Sequence, residues 1–326
     1  MRNTGDLIAD LYGLGPGPWT MTPVTRGALG RIWKLSGNGS DWAVKELLFA
    51  REEPDVEGEA TLRDTAAGLG VSAPRLMPAR TGSHVARLPA ERGGSWLKLY
   101  DWVDGAPADP AAPALLDWCG RTLALLHRAG EGTTDRPVDW YEECYPEDDW
   151  ADLHDRVRRA GPPWAEALSR CVAGPLPELT RFVSPSDPAD LVVSHRDVQP
   201  QNVLLTGAGP VLLDWDNAGP VAARRELAHV VFVWSGGNAF RPAAARRLFR
   251  AYREAGGPAV LDDLTSFSML FATALNYVYV QAECALDPDV TPDRRAFASD
   301  QTATALHTVP DPSAVSRLLT ELKSEH

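Results

Sequence analysis

Over the first hundred residues the apolar positions come in short runs separated by turn-forming residues, the pattern of strands. Residues 25–35 and 42–48 read as two strands joined by Ser36-Gly37-Asn38-Gly39-Ser40, a turn by composition. Residues 56–69 switch to helical spacing, with Leu62, Ala66 and Leu69 on one face. One more strand is predicted over 95–103. Asp104-Gly105-Ala106-Pro107-Ala108-Asp109-Pro110 then breaks the pattern and reads as the exit from a hinge.

Beyond the break the period is helical. Leu115, Cys119, Leu123 and Leu126 recur at the spacing of one helix face, predicting a helix over 113–129. Residues 131–150 are polar, aromatic and acidic and read as a loop or insertion; 163–173 is weakly helical. Apolar segments at 192–193, 203–205 and 211–213 predict strands with loops between them. Helices are predicted over 224–234, 242–255 and 261–286, the last with Leu264, Phe267, Phe271, Ala274 and Val278 along one face. No internal repeat is present. The expected class is α+β in two lobes, a small strand-rich one at 1–103 and a larger helical one at 104–326. A cleft between such lobes is a preferred place for a ligand.

Composition narrows the function. With 326 residues, 44% hydrophobic and 23% charged, the chain has the makings of a globular protein with a sizeable core. A formal charge of −12 argues against nucleic acid as a partner and is compatible with steering a cationic substrate. The four cysteines form no CxxC pair, so reduced thiols and no zinc site are expected. No basic-then-apolar leader opens the chain, and the run 230–234 is far shorter than the roughly 20 residues that span a bilayer. A cytoplasmic protein with no membrane partner is the expectation.

The chemistry concentrates in Ser194-His195-Arg196-Asp197-Val198-Gln199-Pro200-Gln201-Asn202 and Val211-Leu212-Leu213-Asp214-Trp215-Asp216. An Asp is followed by an Asn five residues on and by a second Asp seventeen residues on. That spacing suits one general base, Asp197, and two Mg²⁺ ligands, Asn202 and Asp214, around a nucleoside triphosphate. Upstream, Trp42-Ala43-Val44-Lys45 puts Ala43 and Lys45 on one face of a strand: Ala leaves room for a flat base and Lys reaches for phosphate. A buried Lys needs a carboxylate. Glu59 on the following helix is the candidate partner, with Glu57 as the alternative. Gly27 and Gly30, in Arg26-Gly27-Ala28-Leu29-Gly30-Arg31, could let backbone N–H groups approach phosphates.

These segments, together with Leu123-Ala124-Leu125-Leu126-His127 and Glu226-Leu227-Ala228, give a chain that resembles the aminoglycoside phosphotransferase family over roughly residues 24 to 286. The resemblance implies a protein-kinase-like fold and an ATP-dependent (or GTP-dependent), Mg²⁺-requiring kinase of small molecules. It makes Asp197 the base, Asn202 and Asp214 the metal ligands and Lys45 the phosphate contact. The stretch from Tyr100 through Trp102 to Val103 becomes the hinge that hydrogen-bonds adenine. Two residues depart from the pattern: Arg196, where the family more often has a small residue, and Glu226, where it usually has Asp. His-Arg-Asp is also the form found in protein kinases. Only nine residues separate Asp216 from Glu226, too few for an activation loop, so Arg196 is expected to pair with a local carboxylate.

For the acceptor there are three candidate groups. Asn276, Tyr279 and Glu283 form one polar stripe on the 261–286 helix. Glu142 and Asp149 belong to an acidic, Trp-containing cluster suited to an amine-bearing or sugar-like ligand. Trp234 and Asn238, just after the Glu226 helix, are the third group, and Asp216 is a further candidate. The reading is resistance-type phosphorylation of a cationic aminoglycoside-like antibiotic. Its rivals are a metabolic kinase of the homoserine, choline, methylthio-sugar or sugar-amine kind, and a nucleotide-binding module without catalysis.

Overall fold

In a computed structural model that describes residues 3–27 and 30–324, the chain divides into two compact units. The first is Met1–Ala108 with Pro200–Gly219, the second Asp109–Gln199 with Pro220–His326. The 103/104 division drawn from the sequence misses the return of 200–219 to the first unit.

The first unit opens with a helix that periodicity did not predict, Thr4–Tyr12 (α1). The Asn3 side chain caps it by accepting from Asp6 N–H at 2.8 Å, and Ile8, Ala9 and Tyr12 are buried. Strands Thr20–Arg26 (β1), Gly30–Gly37 (β2) and Ser40–Leu47 (β3) follow as antiparallel neighbours. The predicted strand at 25–35 is therefore divided between two antiparallel strands, β1 and β2. Next come helix Glu53–Gly68 (α2), short strands Leu76–Met77 (β4) and Ala86–Arg87 (β5), and Trp96–Asp101 (β6). The sheet order is β1-β2-β3-β6-β4, with β5 also on β6.

Strand alternation sorts this sheet into two faces. Val44, Leu97 and Leu99 join Ile8, Tyr12 and Trp19 in one core cluster, under α1. On the other face, Ala43 and Tyr100 pack with Val56 and Ala60 of α2. Leu69, predicted on the apolar face of that helix, is its exposed cap.

Ala106–Pro107 (β7) leaves this sheet. The second unit begins with Pro113–Ala129 (α3), the predicted span, with Leu115, Cys119, Leu123 and Leu126 buried. Gly120 is needed there: a Cβ would lie 2.3 Å from the Leu248 carbonyl of a helix packed against it. Residues 131–146 are irregular apart from one short turn, and Glu147–Ala160 (α4), Ala165–Ala173 (α5) and Pro175–Leu179 (α6) follow. Then comes strand Leu191–Ser194 (β8). Val203–Thr206 (β9) and Gly209–Leu212 (β10) form a hairpin that pairs with β7, and Leu212 N–H donates to Ser72 O at 2.9 Å, which explains why this segment belongs to the first unit.

Gly219–Ala222 (β11) pairs with β8 and leads into Ala223–Ser235 (α7), Pro242–Glu254 (α8), Ser268–Leu286 (α9), Pro292–Thr308 (α10) and Pro312–Lys323 (α11). The predicted 261–286 helix starts later, after a turn capped by Asp263, and the last two helices were not predicted. No described helix is long and apolar enough to cross a membrane.

Candidate active site

In the first unit β3 and β6 place two lysines side by side. Lys45 and Lys98 are direct register partners on the face toward α2, and both are buried. Each needs counter-charge, since an unpaired buried ammonium is severely destabilising. Lys45 Nζ lies 2.6 Å from Asp214 Oδ1 and 2.6 Å from Asp216 Oδ2. Lys98 Nζ lies 2.5 Å from Asp216 Oδ1 and also pairs with Glu59, which accepts from Tyr100 Oη–H at 2.8 Å. Two ammoniums thus face three carboxylates in one chain of contacts, Glu59–Lys98–Asp216–Lys45–Asp214.

Burial alone would lower the Lys45 pKa, but Asp216 and Asp214 outweigh it and raise it above the ordinary value. For Asp216, burial would raise the pKa, and Lys45 and Lys98 together hold it well below the usual range.

The expected partner of Lys45 therefore changes. Glu59 is taken by Lys98 and by Tyr100, which lie in phase on β6. Glu57 is a surface residue, 2.7 Å from His84 Nδ1. Asp216, a candidate acceptor contact, is 2% exposed with both oxygens on lysines. It is the centre of the array and offers no face to an acceptor. Sequence reasoning missed Lys98, although Trp96-Leu97-Lys98-Leu99-Tyr100 carries a legible signal: a Lys in the middle of an apolar strand, in phase with Tyr100.

Asp214 has a left-handed backbone (φ 57°), uncommon for a residue with a side chain and costly by about 1–2 kcal/mol. Its side chain is 40% exposed, unlike that of Asp216. The Asn202 carbonyl accepts Leu213 N–H at 2.8 Å, tying the turn that carries Asn202 to the strand end that carries Asp214. Hard oxygen donors on these two residues, one of them solvent-accessible, fit a Mg²⁺ that would complete its shell with water and phosphate. Among the described residues no group of three or more His, Cys, Asp or Glu is arranged to hold a metal by protein ligands alone.

Elsewhere on the sheet, a Cβ on Gly30 would lie 2.7 Å from Glu46 O, so close strand approach alone requires glycine there. Gly27 N–H donates to Gly30 O at 2.9 Å; Ala28 and Leu29, between them, lie outside the described residues. Trp102 and Val103 are half-buried just past β6. Lys34 Nζ sits 4.6 Å over the Trp102 ring, and the indole N–H donates to Asp104 at 2.7 Å.

The second unit holds the segment around Asp197. Gln199 Nε2 donates to Asp197 Oδ1 at 2.5 Å, and Asp197 N–H donates to the buried His195 Nδ1 at 3.2 Å. Arg196 is left-handed (φ 62°); its N–H donates to Glu226 Oε1 at 2.6 Å, and its guanidinium lies 4.3 Å over the Tyr141 ring. The local carboxylate expected for Arg196 is thus met by its backbone. Glu226, 1% exposed, also accepts from His127 at 3.0 Å, and His127 Nδ1 lies 2.8 Å from Tyr252 Oη. Burial would raise the Glu226 pKa, but the His127 hydrogen bond and the His127 and His195 charges bring it below the ordinary value. Trp234, another acceptor candidate, is fully buried: its indole N–H donates to Val198 O at 2.8 Å. It anchors the segment next to Asp197 and presents no surface.

The other acceptor candidates come together in this unit. Tyr279 of α9 stacks on Tyr145 at 3.8 Å and meets Trp150 edge-on at 5.2 Å. Burial, then Glu283 and Asp149, push the Tyr279 phenol up to about 12. Glu283 also pairs with Arg156. Asn276 is 3% exposed and donates to Trp140 O (3.1 Å) and Glu143 O (2.8 Å), pinning the irregular segment to α9. Glu142 is equally occupied, accepting from Ser186 N–H at 2.8 Å. Asp149 is exposed and Tyr279 half-buried, whereas both Glu283 oxygens accept from Arg156; Asn276 and Glu142 serve the packing. A separate groove of about 790 Å³, lined among others by Arg170, Cys171 and Asp311, holds one further candidate, Asn238, whose Nδ2 donates to Val309 O at 2.8 Å.

The model of the phosphotransferase enzyme family matches residues 20–264. Among solved structures, the chain is similar to a spectinomycin phosphotransferase in complex with ADP and spectinomycin, at 13% identity over 97% of this chain and 96% of that one, with a TM-score of 0.65. An aminoglycoside phosphotransferase from Alicyclobacillus acidocaldarius matches at 18% identity over 93% and 92%, TM-score 0.58. A microcompartment-associated aminopropanol kinase matches at 14% over 93% and 94%, TM-score 0.56. None of the curated proteins matches in sequence. At these identities the likeness is one of fold, the kinase-like α+β class expected from the sequence.

Proposed function

The chain belongs to the phosphotransferase enzyme family and is a small-molecule kinase; on that footing we propose that it moves the γ-phosphoryl of ATP (or GTP) to a hydroxyl of a small amine-bearing acceptor. The acceptor is of the aminoglycoside-like antibiotic kind, and the setting is cytoplasmic resistance. The observation that carries the phosphotransfer half is the pairing of Lys45 with Asp214 at 2.6 Å across 169 positions of sequence, with Asn202 tied to the same strand end.

Phosphoryl transfer asks little covalent chemistry of a protein; positioning and charge stabilisation dominate. Asn202 and Asp214 would hold Mg²⁺, which neutralises charge on the phosphates. Lys45, already beside Asp214, would orient the phosphates. Asp197, whose Oδ1 accepts from Gln199, would position the acceptor hydroxyl and take its proton late in the transfer.

The amine-bearing acceptor is supported by the Tyr145–Tyr279 stack, with Trp150 edge-on to it and the exposed Asp149 next to Trp150 in sequence, since aromatic faces and carboxylates together favour a cation. The net charge of −12 acts in the same direction. Two of the fold's relatives, one solved with spectinomycin and one a kinase of aminopropanol, agree with an amine-bearing alcohol. The test is incubation with Mg-ATP and a panel of aminoglycosides, other hydroxylated antibiotics, amino alcohols and neutral sugars, with phosphorylated product read by mass. Turnover of amine-bearing antibiotics is expected. Turnover of a common metabolite with no product from any antibiotic sinks the resistance reading, and exclusive use of neutral sugars sinks the amine.

A further inference from the structure

In the protein-kinase layout a strand Lys that serves the phosphates is held by a helix Glu. Here the helix Glu is held by another lysine. Glu59 of α2 is bound by Lys98 and by the Tyr100 hydroxyl, both from β6, while among the described residues the ion pairs of Lys45 on β3 are with the two aspartates of Asp214-Trp215-Asp216. Two of the three acids are buried and one is not: Glu59 is 1% and Asp216 2% exposed, whereas the Asp214 side chain is 40% exposed. The buried pair is thus clamped by Lys98, and the one acid that Lys45 does not share is the accessible one.

We infer that Lys98 is a positioning residue for nucleotide binding: it occupies Glu59 and one oxygen of Asp216, so that Lys45 is left free to exchange Asp214 for phosphate. The inference rests on the nucleotide half of the function proposed above. Without Lys98, one ammonium would remain among three carboxylates. Lys45, directly across the ladder, would then be drawn toward Glu59 and the vacated oxygen of Asp216 and away from the phosphate position. Removing the Glu59 charge as well restores the balance that Lys45 has in the native protein, two aspartates to one lysine.

The test measures binding of Mg-ATP and Mg-ADP by calorimetry on the full chain, with melting temperatures alongside, so no acceptor is needed. K98M is expected to weaken nucleotide binding at least tenfold. K98M/E59Q is expected to recover most of that loss, and E59Q alone to weaken binding less than K45M does. A purely structural role for Lys98 predicts that affinity follows the melting temperature in every variant. Affinity restored in the double variant beyond what its melting temperature explains supports the inference. K98M binding like wild type, or K98M/E59Q binding no better than K98M, overturns it. Should K98M fail to fold, E59Q against K45M decides: equal losses would mean that Lys45 depends on Glu59 and the inference is wrong. Wild-type protein that binds no nucleotide overturns the nucleotide reading itself, whereas wild-type binding without the rescue overturns this inference alone.

Discussion

Replacing Glu226 by Ala removes the acceptor that holds the Asp197 segment in shape. The carboxylate is 1% exposed and receives Arg196 N–H at 2.6 Å and His127 Nε2 at 3.0 Å. An orphaned buried donor costs about 1–3 kcal/mol, so two of them destabilise by about 2–6 kcal/mol. E226Q should lose less: the amide keeps one acceptor for Arg196, and His127 can switch tautomer to accept from the new NH₂, leaving mainly the loss of charge assistance, about 1 kcal/mol.

Urea unfolding followed by circular dichroism reads these differences as shifts in midpoint at constant slope. Because the folded pKa of Glu226 is depressed, its stabilisation is complete above the unfolded value of about 4.3 and is lost as pH falls through the lower folded value. The gap between wild type and E226A should therefore narrow in acid below about pH 4. Turnover should fall with stability corrected for, since Arg196, in its left-handed conformation, directly precedes Asp197. E226A with a wild-type midpoint and wild-type turnover would refute the anchoring role.

W234F removes the indole donor to Val198 O, and should cost about 1–3 kcal/mol and lower kcat more than it raises KM for ATP, read by melting and steady-state kinetics. Y279A should raise KM for the acceptor at least fivefold and leave KM for ATP near wild type; an unchanged acceptor KM would move the acceptor site elsewhere. D216N leaves two buried lysines short of one charge and should destabilise by about 3–5 kcal/mol, with the difference from wild type shrinking as pH falls below about 4, because the depressed Asp216 pKa gives stability only above that range.

How far the sequence carries depends on how local each signal is. The 113–129 helix was readable because its apolar spacing and Pro113 lie within one element. The strand alternation of Ala43, Val44 and Lys45 was readable for the same reason, and the sheet follows it. The carboxylates and amide of 197–216 could be found from spacing alone. What could not be read was partnership across the sheet. Lys98 wins Glu59 through a register between β3 and β6 that no local pattern encodes. Trp234 and Asp216 have the residue types of ligand contacts, yet burial assigns them to packing and charge balance. Helix α1 escaped because it is nine residues long and depends on its Asn3 cap and on burial against the sheet. The two C-terminal helices lay beyond the resemblance; Pro292–Thr308 carries no strong apolar period, whereas Ala314, Val315, Leu318, Leu319 and Leu322 of the last helix formed a legible stripe that went unread.

The central claim is that Asp197 acts on the acceptor hydroxyl while Lys45, Asn202 and Asp214 handle the nucleotide. The most direct measurement compares wild type with D197N, using calorimetry for Mg-ATP and product mass for the best acceptor of the panel. Mg-ATP affinity within about threefold of wild type and transfer reduced by about 10²–10⁴-fold are predicted, the range a positioned general base supplies. Near-wild-type transfer by D197N would contradict the account, as would loss of nucleotide binding in proportion to the loss of transfer.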